Sequence, residues 1–270
     1  LGGCPVSGLT AAAVRAVRPV VGLTSSLDSL SFAWTSIAYG GTTLVAVGLS
    51  GGCVTSTNAG ATWVRRAVPN LDWTSVTYGG GLFVAVASSG TGNRVMTSPD
   101  GITWTARTSA ADLNWRSVAY GAGVFVAVAN SGTGNRVMTS PDGITWTSRT
   151  SATDNDWVAV VYGAGLFVAV ANSGTGNRVM TSPDGITWTS RTSAADLNWR
   201  GLVWTGRFFY AIATGATQAM YSSNGTAWFA LTADFFADRT PGLVLPTFSG
   251  GVQVVTSPSS LEAFATYLNM

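Results

Sequence analysis

The side chains able to do acid–base or covalent chemistry in this sequence are few and repetitive. Its 12 acidic residues are all Asp except Glu262, there is no His and no Lys, and the only cysteines are Cys4 and Cys53. A nucleophilic triad needs a base beside its nucleophile, and a zinc site needs Cys or His ligands, so both chemistries lack their parts. Glycoside hydrolysis by the usual route needs two carboxylates held in unlike environments. Most acids here are copies instead: Asp100, Asp142 and Asp184 in one register, Asp112, Asp154 and Asp196 in another. A catalytic centre is a single asymmetric place, and near-copies cannot each be it. Two asymmetric polar groups remain. Arg207 with Asp234, Asp238 and Arg239 reads as a loop ion pair, and Asp154-Asn155-Asp156 lacks the further spaced oxygens of a calcium loop. No catalytic residue, metal or cofactor is expected.

Binding is a better use of repetition. Three loop sets carry Ser, Thr, Asn, Asp and Arg beside a Trp, a composition suited to hydrogen-bonding a sugar and stacking on it. The candidate ligand residues are Asn93, Arg94, Asp112, Asn114 and Trp115 in the first set, and Asn135, Arg136, Asp154, Asp156 and Trp157 in the second. Asn177, Arg178, Asp196, Asn198 and Trp199 form the third. Repeating a weak site raises avidity without adding a contact. The competing reading is that these are ordinary solvated loops and that the Trp is core between neighbouring units.

These loops are positioned by an internal repeat. Asn114–Asn155 is followed by Asp156–Leu197 with most positions unchanged, and Phe125–Ala152 matches Phe167–Ala194 throughout. The unit also starts at Asp72 and recurs in worn form from Phe32 and from Asn198. A period near 42 residues is the spacing of a four-stranded propeller blade. Within Asn114–Asn155 four strands are expected: Trp115–Tyr120, Val124–Ala129, Arg136–Ser140 and Ile144–Arg149. The second is an unbroken apolar run, as in a strand covered on both faces. Gly121-Ala122-Gly123 joins the first pair, and Ser140-Pro141-Asp142-Gly143 makes a tight turn in which Asp caps and Gly takes the left-handed residue. Short antiparallel strands, no helical period and radial repetition give an all-β class and a β-propeller fold, treated as a single domain over 1–270. A β-solenoid is the weaker alternative.

Five blades fall within 32–239. A ring left open would bare sheet edges, so a sixth four-stranded blade is expected from C-terminal strands at Leu243–Thr247 and Val252–Thr256 and from N-terminal strands within Val6–Leu23. Five blades with two flanking arms is the rival. Residues 1–31 are the N-terminal closing segment, and 240–270 add a short tail helix at Leu261–Leu268 behind a capping box. Cys4 and Cys53 would be brought together if the N-terminus packs beside the first blade. The net charge of +2 comes from scattered Arg with no concentrated stripe, which argues against a nucleic-acid surface. No apolar run approaches a membrane span. Leu1-Gly2-Gly3-Cys4 looks like the end of a lipoprotein leader but has no apolar segment before it, and is read as a turn.

The turn between the third and fourth strands carries a resemblance. Ser56-Thr57-Asn58-Ala59-Gly60-Ala61-Thr62-Trp63 resembles the Asp-box (BNR) hairpin of sialidase-type and related propellers, with Asn58 in place of the usual Asp. Ser98–Trp104, Ser140–Trp146 and Ser182–Trp188 read S-P-D-G-I-T-W, one residue shorter, and Ser222–Trp228 reads S-S-N-G-T-A-W. In that family the box is structural and lies away from the substrate pocket. The resemblance therefore implies turn-making roles for Ser56, Asn58, Gly60 and Trp63, and for Ser98, Asp100, Gly101 and Trp104. It implies the same for Ser140, Asp142, Gly143 and Trp146, for Ser182, Asp184, Gly185 and Trp188, and for Ser222, Asn224, Gly225 and Trp228. Sialidases of this type use an arginine triad, a Tyr nucleophile with Glu and an acidic proton donor, none of which matches here. The repeats also look like those of bacteriophage and bacterial surface proteins. The resulting expectation is a non-enzymatic phage tail, fibre or decoration protein at the virion surface or outside the cell. Its partners would be a cell-surface glycan or protein receptor, other virion proteins or itself, with no nucleic acid and no membrane insertion. A secreted multivalent bacterial lectin and a degenerate sialidase-like hydrolase are the alternatives.

Overall fold

The computed structural model describes residues 32–214 and 219–231 together with the backbone of 248–249 and 252–253. Blade 1 contains β1 (Trp34–Gly40), β2 (Thr43–Gly48), β3 (Gly52–Ser56) and β4 (Val64–Arg65). Blade 2 contains β5 (Trp73–Gly79), β6 (Leu82–Ala87), β7 (Val95–Ser98) and β8 (Thr105–Arg107). Blade 3 contains β9 (Trp115–Gly121), β10 (Val124–Ala129), β11 (Val137–Ser140) and β12 (Thr147–Arg149). Blade 4 contains β13 (Trp157–Gly163), β14 (Leu166–Ala171), β15 (Val179–Ser182) and β16 (Thr189–Arg191). Blade 5 contains β17 (Trp199–Trp204), β18 (Phe209–Ala213), β19 (Ala219–Ser222) and β20 (Phe229–Leu231). Each blade is an antiparallel meander in sequence order.

The sheets stand around an axis. The first strands touch in succession, β1 to β5, β5 to β9, β9 to β13 and β13 to β17, while the fourth strands carry exposed side chains. This is the β-propeller expected from the repeat. The second strands of blades 2 to 4 are buried nearly throughout, as their uninterrupted Phe-Val-Ala-Val runs require. A short ladder of β21 (Phe248–Ser249) with β22 (Val252–Gln253) lies at the other end of the chain, and β22 runs beside β1. The second strand of the expected C-terminal pair coincides with β22. Leu243–Thr247, the N-terminal strands, the tail helix and Cys4 lie outside the described residues, and with them the sixth blade.

Blades are joined by an aromatic ring set on a glycine. At the last residue of each inner strand a Cβ on Gly79 would lie 2.0 Å from Cγ of Tyr120, and one on Gly121 would lie 2.0 Å from Cγ of Tyr162. Gly40 receives Tyr78 and Gly163 receives Trp204 in the same way. These glycines keep ordinary negative φ, so their use is space rather than backbone freedom. Thr205 occupies the equivalent position after β17, and Tyr39, the corresponding ring of blade 1, is 54% exposed. The Trp of the inner strand is core in blades 2 to 5: Trp73, Trp115, Trp157 and Trp199 have essentially no exposed surface.

The turn ending each blade holds its neighbour as well as itself. Asp142 Oδ1 accepts the backbone N–H of Ile144 at 2.9 Å and of Thr145 at 2.8 Å, and Ser140 Oγ donates to the same oxygen. The Trp146 indole N–H donates to the Gly143 carbonyl at 3.0 Å. Gly143 has φ 72° and is seated against Leu82 and Val84 of the preceding blade, so a side chain there would meet both strain and a clash. Because Asp142 takes the N–H groups of Ile144 and Thr145, the fourth strand begins at Thr147 rather than at the expected Ile144. The longer copy in blade 1 fits its extra residue by placing both Ala59 and Gly60 at positive φ.

Candidate functional site

The loops joining second to third strands and those entering each first strand share one face of the ring, opposite the Ser-Pro-Asp-Gly turns. The sequence places three near-identical loop sets there, and the structure assembles each from two connections. Asp112 Oδ1 accepts the backbone N–H of Gly92, Asp154 that of Gly134 and Asp196 that of Gly176, each at 2.7 Å. One carboxylate oxygen is thus fixed by the loop, and the carboxylate remains about two-fifths exposed on the outer side, 41% for Asp154.

The arginines of the candidate set face inward. Arg94 donates from Nε to Gly90 O at 2.9 Å, and from Nη1 to Ser88 O at 2.9 Å and Leu113 O at 2.8 Å. Arg178 repeats this with Gly174, Asn172 and Leu197. Arg136 departs from the pattern by pairing with Asp156 at 2.8 Å. A fork of guanidinium donors is suited to closing a loop by several carbonyls at once, and only 13–14% of these side chains is exposed. Asn114 and Asn198 are exposed and accept from Arg94 and Arg178 at 3.3 and 3.2 Å. Trp115, Trp157 and Trp199 offer no ring face to solvent. They are inter-blade core, and stacking on a sugar is not open to them.

Asn93, Asn135 and Asn177 are half-buried beneath the loops. The Oδ1 atoms of Asn93 and Asn135 have no partner. In blade 4 Asn155 replaces the Leu found at Leu71, Leu113 and Leu197, and its amide donates to Asn177 O at 2.8 Å and Oδ1 at 3.0 Å. Asp154, Asn155 and Asp156 are thus engaged with Gly134, Asn177 and Arg136 respectively. Of the other asymmetric group, Arg207 lies over the Phe208 ring at 5.1 Å. Asp234, Asp238 and Arg239 lie outside the described residues.

What the loops do present to solvent is the tip. Thr91, Thr133 and Thr175 are exposed, each flanked by glycines, and Gly92, Gly134 and Gly176 have open space where a side chain would stand. Thr108, Thr150 and Thr192 are exposed on the entering connections. None of these hydroxyls is among the candidate ligand residues expected from the sequence, although Thr91, Thr133 and Thr175 recur within Gly-Thr-Gly.

The turn acids sit on the other face. The backbone N–H groups of Thr103, Thr145 and Thr187, first among several donors, hold the Asp100, Asp142 and Asp184 carboxyls below the ordinary carboxylate range. Cys53 is fully buried and burial pushes its thiol up to about 12, against a smaller opposite pull from Arg66, so it is no nucleophile at neutral pH. Among the described residues no three His, Cys, Asp or Glu side chains converge to hold a metal ion, and no helix is long and apolar enough to cross a membrane.

No protein-family model and no curated protein matches the chain. Its likeness is to solved propeller structures. A catalytically inactive virginiamycin B lyase from Staphylococcus aureus with quinupristin is similar at TM-score 0.64 and 11% identity, over 74% of this chain and 70% of that one. YCF48 with a bound peptide is similar at TM-score 0.54 and 19% identity, over 74% of this chain and 66% of that one. A nidogen/laminin complex is similar at TM-score 0.55 and 12% identity, over 74% and 80%. The chain spans about two thirds of the length of several such structures. At these identities the likeness shows the fold alone, and one fold carries lyase and protein-binding neighbours alike.

Proposed function

We propose that this chain is a non-enzymatic binding propeller, with turns of the Asp-box kind as its structural hinges, that presents its repeated loop face to a cell-surface glycan or protein receptor. The observation that carries this reading is the threefold recurrence of one loop geometry, an exposed Thr tip over a carboxylate pinned to the next glycine at 2.7 Å in each of blades 2 to 4. Identical weak sites spaced around a ring bind a multivalent surface more tightly than any single site does. The acids support the same reading, because those of one face are spent on turns and those of the other on loop closure. The setting we infer is a bacteriophage virion, in a tail, fibre or decoration protein, at the virion surface or outside the cell. The bound peptide in YCF48 and the laminin in the nidogen complex favour a protein receptor as one arm of the test.

The experiment is a paired display assay. The protein is applied to a glycan array and to cells of its source, beside a variant carrying Thr91→Ala, Thr133→Ala and Thr175→Ala. Binding that falls steeply with the number of loops altered supports the reading. Absence of binding to both surfaces removes adhesion and leaves an architectural role, and turnover of a glycoside by the intact protein overturns the non-enzymatic claim.

A further inference from the structure

Blades 3 and 4 are near-copies, yet their differences are not spread evenly. Asn114/Asp156 immediately precede β9 and β13, Arg116/Val158, Ser117/Ala159 and Ala119/Val161 fall within them, and only Val124/Leu166, Thr153/Ala195 and Asn155/Leu197 follow in the rest of the unit. The strand that diverges is the innermost one, which borders the axis.

One position there has a distinctive geometry. In every blade the ladder between first and second strands skips a residue after the Trp: Thr35, Thr74, Arg116, Val158 and Arg200 have no partner across the sheet. A bulge of this kind re-aims a side chain. In blades 1 and 2 the Thr hydroxyl fills the need locally, donating at 2.7 Å to the carbonyl of Trp73 or Trp115 in the next blade. Blades 3 and 5 carry Arg instead, on either side of Val158. Arg116 is half-buried and Arg200 exposed.

Apart from Arg66, whose backbone N–H pairs with Cys53 O and whose Nε is buried without a partner, the other described arginines are engaged. Arg94, Arg136 and Arg178 close loops; Arg107, Arg149 and Arg191 donate to Thr97, Thr139 and Thr181; Arg65 and Arg207 lie over Phe rings. Among the described residues neither Arg116 nor Arg200 has a hydrogen-bond or ion-pair partner. They hold the same bulge position in β9 and β17, the innermost strands on either side of β13, and burial first, then the charge of Arg200, holds Arg116 below its ordinary pKa. Two guanidiniums at equivalent places around one axial mouth, with no acidic partner among the described residues, are suited to an anion between them, and guanidinium forks match oxyanion geometry.

We propose that Arg116 and Arg200 form a single oxyanion site at the axial mouth on the loop face, accepting the carboxylate, sulfate or phosphate of a small ligand. The site uses none of the loop-tip residues and stands if glycan display fails. Titration calorimetry at low ionic strength with sodium glucuronate and with sodium sulfate tests it, with a neutral methyl glucoside as control. Arg116→Val copies what blade 4 already holds at that place, and Arg200→Val does the same in blade 5, so neither change asks the fold for anything new. The expected result is one anion per chain, weakened roughly tenfold to a hundredfold by either substitution and lost in the double variant, with the thermal midpoint in anion-free buffer unchanged or raised. Preference for glucuronate assigns the site to an acidic sugar and preference for sulfate to an inorganic oxyanion, and both support it. No binding of either anion, or binding that survives in the double variant, overturns it.

Discussion

Gly121→Ala is the most direct trial of how the blades hold together. The added methyl would stand 2.0 Å from Cγ of Tyr162, where carbon atoms at rest keep about 3.5 Å or more, so the ring must withdraw by roughly 1.5 Å. Overpacking of this kind costs about 1–3 kcal/mol, and disturbing an aromatic pair adds about 0.5–1.5 kcal/mol. The pair at stake is Tyr162 on Phe167, with ring centroids 4.8 Å apart. A net loss of about 2–4 kcal/mol is expected. The control is Tyr162→Ala, which alone should cost about 3 kcal/mol. With the ring gone, the alanine at 121 should become neutral or slightly favourable, because Gly121 has no positive φ and the substitution stiffens the unfolded chain by about 0.4–1 kcal/mol. Chemical denaturation followed by tryptophan fluorescence would give the four stabilities of the cycle. A penalty for Gly121→Ala of the same size in both backgrounds would falsify the socket, since the coupling must be about 2 kcal/mol or more if ring and methyl compete for one space.

Three further outcomes follow from contacts already described. Asp142→Asn should unfold within a few tenths of the parent stability, because Asn58 and Asn224 already fill that role in blades 1 and 5, whereas Asp142→Ala should lose about 1 kcal/mol, as for a lost helix cap; thermal unfolding separates them. Asp100, Asp142 and Asp184 have folded pKa values depressed below the unfolded ones. Their contribution is therefore complete above the unfolded value near 4 and is lost as pH falls through the folded values. A thermal midpoint measured from neutral pH downward should drop less in the triple Asn variant than in the parent. Arg94→Lys should destabilise by about 2 kcal/mol, because one ammonium cannot serve Gly90, Ser88 and Leu113 together; limited proteolysis should then cut first within 88–94.

The repeat was legible because its period, its Trp pairs and its apolar second strand are all local or strictly recurrent. The ring-on-glycine contact was not, since its partners lie in different copies and each dipeptide, such as Tyr120-Gly121, contributes the ring to one neighbour and the space to the other. Misplacing the start of the fourth strand at Ile144 has a similar cause: alternation suggested a ladder, but Asp142 had already taken the two N–H groups. The loop arginines were read as outward because Arg is ordinarily exposed, and only coordinates reveal the carbonyls of residues such as Leu113 turned toward them. Thr133 was passed over for the opposite reason, having no conspicuous chemistry and every bit of the exposure.

Tyr120-Gly121 also bears on how such a gene can change length. A duplicated segment cut at any phase of the period inherits both a plug for the copy before it and a seat for the copy after it, so recombination between blades 2, 3 and 4 yields junctions indistinguishable from the old ones. Thr205, where a seat would be needed, makes blade 5 unfit to be copied in this way. Growth or shrinkage of the array thereby excludes blade 5.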